Sequence, residues 1–175
     1  MRKITILLAV LLVMGAAPAL AAKGEHCGAI TLADKPPLGE GSRFDWSDHQ
    51  DAHNWFIGHR RHVFASGYVS GKHYYVGFTR KVCRHLRHIR SMVDEGWRFQ
   101  AFVAKYSWAQ LARTQRCVGD LPRQEWLRIG GSDRDVHMNQ VIVWLREKTD
   151  GRKHYIRHRC PDARIVFYEG GTVPG

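Results

Sequence analysis

Four widely spaced cysteines constrain the fold of this chain more than any other feature. They are Cys27, Cys83, Cys117 and Cys160, in a chain of 175 residues. An even number of cysteines in an exported chain predicts two disulfides, and four cysteines allow three pairings that the sequence leaves open. Because no Cys-x-x-Cys spacing occurs, neither a zinc ribbon nor a thioredoxin-like redox motif is indicated.

The start of the chain predicts export. Arg2 and Lys3 supply positive charge, residues 4–14 form an apolar run, and residues 19–21 are Ala-Leu-Ala. This is the order of a secretory signal peptide that is cleaved after residue 21, and its apolar run is too short to span a bilayer permanently. We therefore expect a protein of the periplasm or the extracellular space, without a transmembrane segment.

The rest of the chain has the composition of a globular protein. The full chain of 175 residues is 44% hydrophobic and 11% aromatic, which is typical of folded domains. Beyond the signal peptide at 1–21, we expect an extended lead-in at 22–46, a single α+β domain at 47–170 and a flexible tail at 171–175. The predicted architecture is a small mixed or antiparallel sheet with two or three helices, stabilised by disulfides.

Hydrophobic spacing places the individual elements. The clearest helix follows Val82, whose apolar stripe continues through Leu86, Ile89 and Val93 with arginines on the opposite face. Further helices are predicted near residues 48–60 and after Ser107. Strands are predicted at residues 73–79, 97–103, 126–129, 141–145 and 164–168. A turn is predicted at 67–71, and Asp150-Gly151 is typical of a two-residue hairpin turn.

The distribution of charge indicates a polyanionic partner. The formal net charge is +11, and no acidic residue occurs between Ala52 and Val93. Such a concentrated field attracts nucleic acid, lipopolysaccharide, anionic glycan or an acidic protein. The candidate polyanion-binding residues are Arg60, Arg61, Lys72, Arg80, Arg84 and Arg87.

One segment carries a family resemblance. The residues His62-Val63-Phe64 are separated by ten residues from Tyr75-Val76-Gly77, which is followed by a basic stretch that runs to His88. This arrangement resembles the GIY-YIG nucleases, in which a short hairpin and a Tyr-x-Gly strand precede a basic helix. The resemblance extends over roughly residues 63–117, about a third of the chain. It implies nucleic acid as the favoured partner.

The resemblance also implies particular site residues. Family members hydrolyse phosphodiesters with a divalent metal, two tyrosines, a helix arginine and a downstream glutamate. The second tyrosine matches Tyr75, and the helix arginine falls near His85, with Arg84 one place earlier; these three are the candidate catalytic residues. The first tyrosine position holds Phe64 and the glutamate position falls near Gln115. The segment is therefore expected to be a degenerate nuclease-like binding domain, with phosphodiester hydrolysis as its only candidate reaction.

Three other functions stay open. His49 and His53 lie four residues apart on a predicted helix, a spacing that suits Zn²⁺ or Cu²⁺, so a periplasmic metal-binding protein is one alternative. Two histidines close in space could cleave RNA without a metal, but the sequence offers too many histidines to nominate a pair. An inhibitor or immunity-type protein that binds an acidic partner is the third alternative.

Overall fold

A computed structural model of the chain describes residues 27–36, 50–59, 61–70, 73–93 and 98–170. The expectations for the signal peptide, for most of the lead-in and for the tail at 171–175 concern residues outside these ranges. The side chains of residues 50, 53, 57 and 59 are also outside the description. Within the described ranges, no helix is long and apolar enough to cross a membrane.

The first half of the chain forms one three-stranded sheet. Helix α1 (Gln50–Asn54) continues into a single π-helical turn (Trp55–His59). Three strands and one helix follow in the order β1 (Phe64–Ser70), β2 (His73–Phe78), α2 (Val82–Arg90) and β3 (Arg98–Val103). Strand β2 lies in the centre, antiparallel to β1 and parallel to β3.

The second half forms another three-stranded sheet. Two helices, α3 (Trp108–Gly119) and the short α4 (Arg123–Trp126), connect it to the first half. Its elements are β4 (Ile129–Asp135), β5 (Gln140–Leu145), α5 (Asp150–Arg159) and β6 (Ile165–Glu169). Strand β5 lies in the centre, antiparallel to β4 and parallel to β6.

The two halves therefore repeat one topology, in which a hairpin is followed by a crossover helix and a third, parallel strand. The repetition extends to a detail of each hairpin. The pairing register shifts near the start of the first strand, between Phe64 and Ser66 in one half and between Ile129 and Gly131 in the other. No repeat is visible in the amino-acid sequence, so only the fold reveals this correspondence.

Alternate side chains of β2 contribute to the core of the first half. Tyr74, Val76 and Phe78 share one face of the strand and pack in the same buried cluster as Leu86 and Ile89 of α2. Both α2 side chains are completely buried, which confirms the apolar stripe predicted for this helix. The burial of these aliphatic and aromatic groups is the main force that holds α2 on the sheet.

The opposite face of the first sheet is covered by the N-terminal segment 27–36. Ile30 forms backbone hydrogen bonds with β3, from its own N–H to Ala101 O at 3.0 Å and from Val103 N–H to its carbonyl oxygen at 3.0 Å. Beneath this segment, the ring of Phe102 lies across Gly77. A Cβ atom at residue 77 would be 2.4 Å from that ring, so the close packing requires glycine.

The core of the second half lies on one face of its sheet. Alternate residues of the two parallel strands join Ile156 of α5 and two side chains of α3 in a single buried cluster. The strand residues in this cluster are Val141, Val143, Leu145, Ile165 and Phe167. The other face of the sheet carries Ile142, Trp144 and Val166, which are half-buried, and Tyr168, which is 48% exposed.

Helix α3 and the β4–β5 turn join the two halves. Ser107 caps α3 through a reciprocal capping box with Gln110, which confirms the predicted helix start, and α3 contacts strands of both sheets. The buried Asn139 side chain accepts hydrogen bonds from the N–H groups of Lys105 and Tyr106 at 3.0 and 2.8 Å. Its amide also donates to Tyr106 O at 2.8 Å. One side chain thus ties the second hairpin to the end of the first half.

The cysteines form the two predicted disulfides, and the structure selects one pairing. Cys27 bonds Cys83, which anchors the covering segment to α2. Cys117 bonds Cys160, which joins α3 to the end of α5. The described residues contain no free cysteine. Each half of the molecule therefore has one covalent link.

The α+β class with disulfides is confirmed, while several element predictions need correction. The described residues form two small mixed sheets and three helices longer than two turns, α2, α3 and α5, with α1 and α4 as shorter helices. Residues 67–70 belong to β1 rather than to a turn, and residues 123–126 are helical. The predicted hairpin at Asp150-Gly151 is wrong, because these residues begin α5 behind Thr149, whose side chain accepts a hydrogen bond from Arg152 N–H.

Candidate functional site

A basic cleft lies where the π-helical turn meets the first turns of α2. It has a volume of about 690 Å³ and lies between the segment that follows β2 and one side of α2. Among the described residues, no acidic side chain lines it. The lining residues are Trp55, Val63, Arg80, Lys81, Arg84, His85, Arg87 and His88. The cleft thus gathers part of the acid-free segment of the sequence.

The entry into α2 gives the cleft its electrostatic character. Lys81 stands at the N-cap in the left-handed backbone conformation, with φ of +50°, and provides no side-chain hydrogen bond to the helix. The first turn of α2 contains no acidic residue. Because the N-terminal end of a helix carries a partial positive charge, it adds to the charges of the exposed Arg80, Lys81 and Arg84.

An aromatic wall holds two histidines in the cleft. The Trp55 ring lies 5.7 Å from the His85 ring and 5.0 Å from the His88 ring, between ring centroids. His85 also packs 5.0 Å from Phe78 and is 7% exposed, whereas His88 is exposed. Trp55 itself is half-buried, so part of the indole faces the cleft beside the arginines.

The structure brings two of the three candidate catalytic residues together and separates the third. Arg84 and His85 both line the cleft. Tyr75 lies on the opposite face of the sheet, where its ring stacks on Tyr68 with centroids 5.1 Å apart and an interplanar angle of 13°. The reason is the alternation of β2, because Tyr74 and Val76 occupy the face that packs on α2.

The two positions that depart from the nuclease pattern also lie away from the cleft. Phe64 is buried and stacks on Phe56 with ring centroids 4.5 Å apart. Gln115 lies in α3 and donates a hydrogen bond to Ser132 O at 3.1 Å, which links α3 to the second sheet. Both side chains have packing or structural contacts in place of a catalytic geometry.

The other polyanion-binding candidates are distributed unevenly. Arg80, Arg84 and Arg87 line the cleft, while Arg61 is exposed outside it, and its carbonyl oxygen accepts a hydrogen bond from Ala109 N–H at 3.0 Å. Arg60 and Lys72 lie outside the described residues.

The metal-ligand candidates are only partly described. His49 and the side chain of His53 lie outside the description, although the backbone of residue 53 belongs to α1. Among the side chains that are described, no group of three or more His, Cys, Asp or Glu residues could hold a metal ion. The metal prediction for this pair of histidines therefore stays a prediction.

Four residues that line the cleft were not singled out as site residues from the sequence: Trp55, Val63, Lys81 and His88. Lys81 and His88 do belong to the acid-free segment, and the i, i+3 and i, i+4 spacing from Arg84 and His85 along α2 would have grouped them. Trp55 is distant in sequence from the helix. Only the folding of the π-helical turn onto α2 brings it into the cleft.

The face of the first sheet that carries Tyr75 contains a buried lysine. The Lys35 ammonium donates a hydrogen bond to His137 O and lies 4.4 Å from the ring centroid of Phe102. Burial lowers the pKa of Lys35 to about 8, partly opposed by the charge of Asp135. Burial, together with Tyr75, raises the pKa of Tyr68 to about 12. This cluster is closed and packs the covering segment onto the sheet.

Comparison with protein-family models finds none that matches the chain, and no curated protein matches its sequence either. The similarity to GIY-YIG nucleases therefore stays a prediction. The order of strands and helices does not test this similarity, because the second half has the same topology without the Tyr-Val-Gly motif. The function must be argued from the cleft itself.

Proposed function

We propose that this protein binds a polyanion, with nucleic acid as the favoured ligand, in the cleft between Trp55 and α2. The observation that carries the proposal is that, among the described residues, four cations and no acidic side chain line the cleft; the cations are Arg80, Lys81, Arg84 and Arg87. A concentration of positive charge on one concave surface attracts polyanions.

The geometry of the cleft suits phosphate groups. Arginine presents a planar fork of donors that matches two phosphate oxygens, and its charge persists at every physiological pH. Arg84 and Arg87 are three residues apart on α2, so they occupy neighbouring positions along the same side of the helix. The positive end of the helix dipole lies at the same place. These features favour a chain of phosphates over an isolated carboxylate.

The aromatic wall favours nucleic acid among the polyanions. Trp55 is half-buried and lies within 5.0 Å of the His88 ring, so a base can stack beside groups that bind its phosphates. Stacking on aromatic side chains next to a cationic groove is the usual mode of single-strand binding. The similarity of residues 63–117 to GIY-YIG nucleases supports the same ligand.

Binding, and not hydrolysis, is the proposed activity. Tyr75 faces away from Arg84 and His85, and Phe64 and Gln115 replace the other residues on which the family chemistry depends. We also infer that the protein acts outside the cytoplasm. The amino-terminal signal sequence supports export, and the two disulfides suit an oxidising compartment.

The test measures binding of fluorescent single-stranded DNA, duplex DNA and RNA to the oxidised protein by anisotropy, from 50 to 300 mM salt. Affinity should fall steeply with salt, because each neutralised phosphate releases counterions. The double variant Arg84→Ala with Arg87→Ala should bind at least tenfold more weakly while its melting temperature changes little. Its matched control is Arg116→Ala with Arg128→Ala, which removes the same charge from exposed positions outside the cleft.

Equal losses in the cleft variant and its control would refute the cleft as the binding site. Absence of salt-dependent binding to all three nucleic acids would refute nucleic acid as the ligand. Parallel samples with Mg²⁺ or EDTA detect cleavage. Cleavage that EDTA abolishes would overturn the limitation to binding, and cleavage of RNA alone in EDTA would replace it with a histidine-based reaction.

A further inference from the structure

The second half contains a basic cavity of its own, remote in sequence from the acid-free segment. It has a volume of about 300 Å³ and lies between α5 and β6. Four cations line it together with the strand residues 165–167, and no acidic residue among those that the structure describes does so. The cations are Lys148, Lys153, Arg157 and Arg164. Sequence reasoning had assigned no role to any of them.

The charges of this cavity are largely uncompensated. Lys153 pairs with Asp150 at 2.7 Å, but that carboxylate is 97% exposed, so the pair is weak and easily exchanged. None of the ion pairs found within the described ranges involves Lys148, Arg157 or Arg164. Arg157 and Arg164 have no carboxylate partner among these ion pairs, whereas the exposed Asp150 carboxylate interacts with both Lys153 and Lys148.

The fold also positions one of these guanidinium groups. Arg157 lies over the Phe167 ring with 5.1 Å between the guanidinium carbon and the ring centroid. Phe167 is buried in the second core, so it gives the arginine a rigid support. A guanidinium that is oriented in this way loses less conformational freedom when it binds an anion.

The two basic cavities draw some of their cations from corresponding elements. Lys148 follows the central strand β5 as Arg80 follows β2. Lys153 and Arg157 lie on the crossover helix α5 as Arg84 and Arg87 lie on α2. Both cavities therefore take cations from the segment after the central strand and from the crossover helix, but strand β6 lines only the second cavity, and Trp55 and Val63 line only the first.

We propose that the cavity between α5 and β6 is a second phosphate-binding site, which takes the sugar-phosphate backbone of a nucleic acid. Its volume is at the lower end for small-ligand sites, which suits a phosphate with its sugar. The identity of the ligand rests on the proposed function of the α2 cleft, whereas the site itself rests on its own residues.

The first experiment titrates the isotopically labelled, oxidised protein with tripolyphosphate and follows backbone amide resonances. Two separate groups of saturable shifts are expected, one around residues 80–88 and one around residues 148–167. Shifts in the first group alone overturn the second site. Shifts in the second group alone support this site and contradict the proposed function of the α2 cleft. Absence of both groups overturns both proposals.

The second experiment tests whether anions bind at this particular cavity or respond only to the overall positive charge of the protein. The variant Lys148→Gln with Arg164→Gln should lose the second group of shifts and keep the first. Its affinity for a single-stranded 30-mer at 50 mM salt should fall about three- to tenfold, and the salt slope should decrease by about 1 to 2. The matched control, Arg116→Gln with Arg128→Gln, should retain both groups of shifts. An affinity loss equal to that of the control would refute nucleic acid as the ligand of this site.

Discussion

The two halves share a topology but differ in how their sheets are covered. In the first half, segment 27–36 covers the face opposite α2, and Tyr75 and Phe102 on that face are 8% and 0% exposed. In the second half, the face opposite α5 carries Trp144, which is half-buried, and Tyr168, which is 48% exposed. The same hairpin–helix–strand unit is therefore built once with two buried faces and once with one.

This difference shows what the covering segment contributes. It buries the aromatic residues of the first sheet, adds backbone hydrogen bonds to β3 through Ile30, and is anchored to α2 by the Cys27–Cys83 bond. It also places the Lys35 ammonium in an apolar environment, which opposes stability. The second half avoids this penalty but leaves more of its apolar surface in contact with water.

The largest expected effect is the loss of stability when either disulfide is removed. In the oxidised protein, Cys27→Ser with Cys83→Ser removes a link across 56 residues, and Cys117→Ser with Cys160→Ser removes one across 43. Loop-closure entropy predicts a loss of about 4 kcal/mol in the free energy of unfolding for each. Urea denaturation measures it. A loss below about 1 kcal/mol in either variant would contradict the constraint assigned to that bond.

Hydrogen exchange sharpens this comparison. The first variant should release the covering segment, so that the amides of Ile30 and Val103 exchange faster while those of the second sheet stay protected. The second variant should instead expose amides of α5. Identical patterns of amide exchange in the two variants would show that the loss of either disulfide affects both halves equally.

An intermediate effect is expected at the junction of the halves. Asn139 has a φ of +54°, and its side-chain oxygen accepts hydrogen bonds from the N–H groups of Lys105 and Tyr106. Asn139→Ala should cost about 3 kcal/mol, because it loses these bonds and strains the left-handed backbone, whereas Asn139→Gly should cost about 2 kcal/mol, because glycine adopts that backbone freely. Thermal unfolding compares them. If alanine were tolerated better than glycine, the assigned role of the backbone would be wrong.

The smallest effect concerns pH. Because the pKa of Lys35 is lowered to about 8 in the folded state, the unfolded chain binds more protons between pH 8 and the ordinary lysine value. The free energy of unfolding therefore rises with pH between pH 8 and the ordinary lysine pKa because of Lys35. Above pH 10 the raised pKa of Tyr68 reverses the trend, because the folded state retains a proton that the unfolded chain loses.

Substitution of the lysine isolates this contribution. Lys35→Met should stabilise the protein by about 1 kcal/mol at pH 7 and flatten the rise between pH 8 and 10. Urea midpoints at pH 7, 8 and 9.5 measure both effects. The control is Lys105→Met, because Lys105 is an exposed lysine at the end of β3. The same rise in both variants would show that the slope has another origin.

Strong local periodicity allowed part of the fold to be predicted. The stripe through Val82, Leu86 and Ile89 predicted α2, and the β-forming run at 141–145 predicted β5. Both segments bury a continuous apolar face, so their sequence pattern and their tertiary contacts agree. Ser107 similarly predicted the start of α3 through local capping chemistry.

The missed elements lack such a pattern. Helix α5 buries only Ile156 among its residues, so its sequence has almost no helical stripe, and the turn propensity of Asp150-Gly151 dominated the prediction. Strand β4 contains Gly130 and Gly131 followed by polar residues, and pairing with β5 imposes its conformation. Tertiary structure overrides local propensity in both cases.

The candidate site was predictable to a similar extent. The concentration of basic residues on α2 followed directly from the sequence, and the cleft gathers them. The alternation of side chains along a strand could have predicted that Tyr75 points away from α2, because residues 74, 76 and 78 form the face of β2 that packs on this helix. The contribution of Trp55 could not be predicted, because it depends on a contact between elements distant in sequence. The second basic cavity was missed because the Asp150-Gly151 turn pattern concealed helix α5, which forms one of its walls.

The order of the two disulfides along the chain bears on how the native pairing is reached. The loop between Cys27 and Cys83 closes before residue 117 begins the next one, so the two loops neither overlap nor enclose each other. In a chain that emerges from its amino-terminal end, Cys27 meets Cys83 as its first available partner, and Cys117 then finds only Cys160. Sequential oxidation during emergence therefore gives the native pairs without reshuffling.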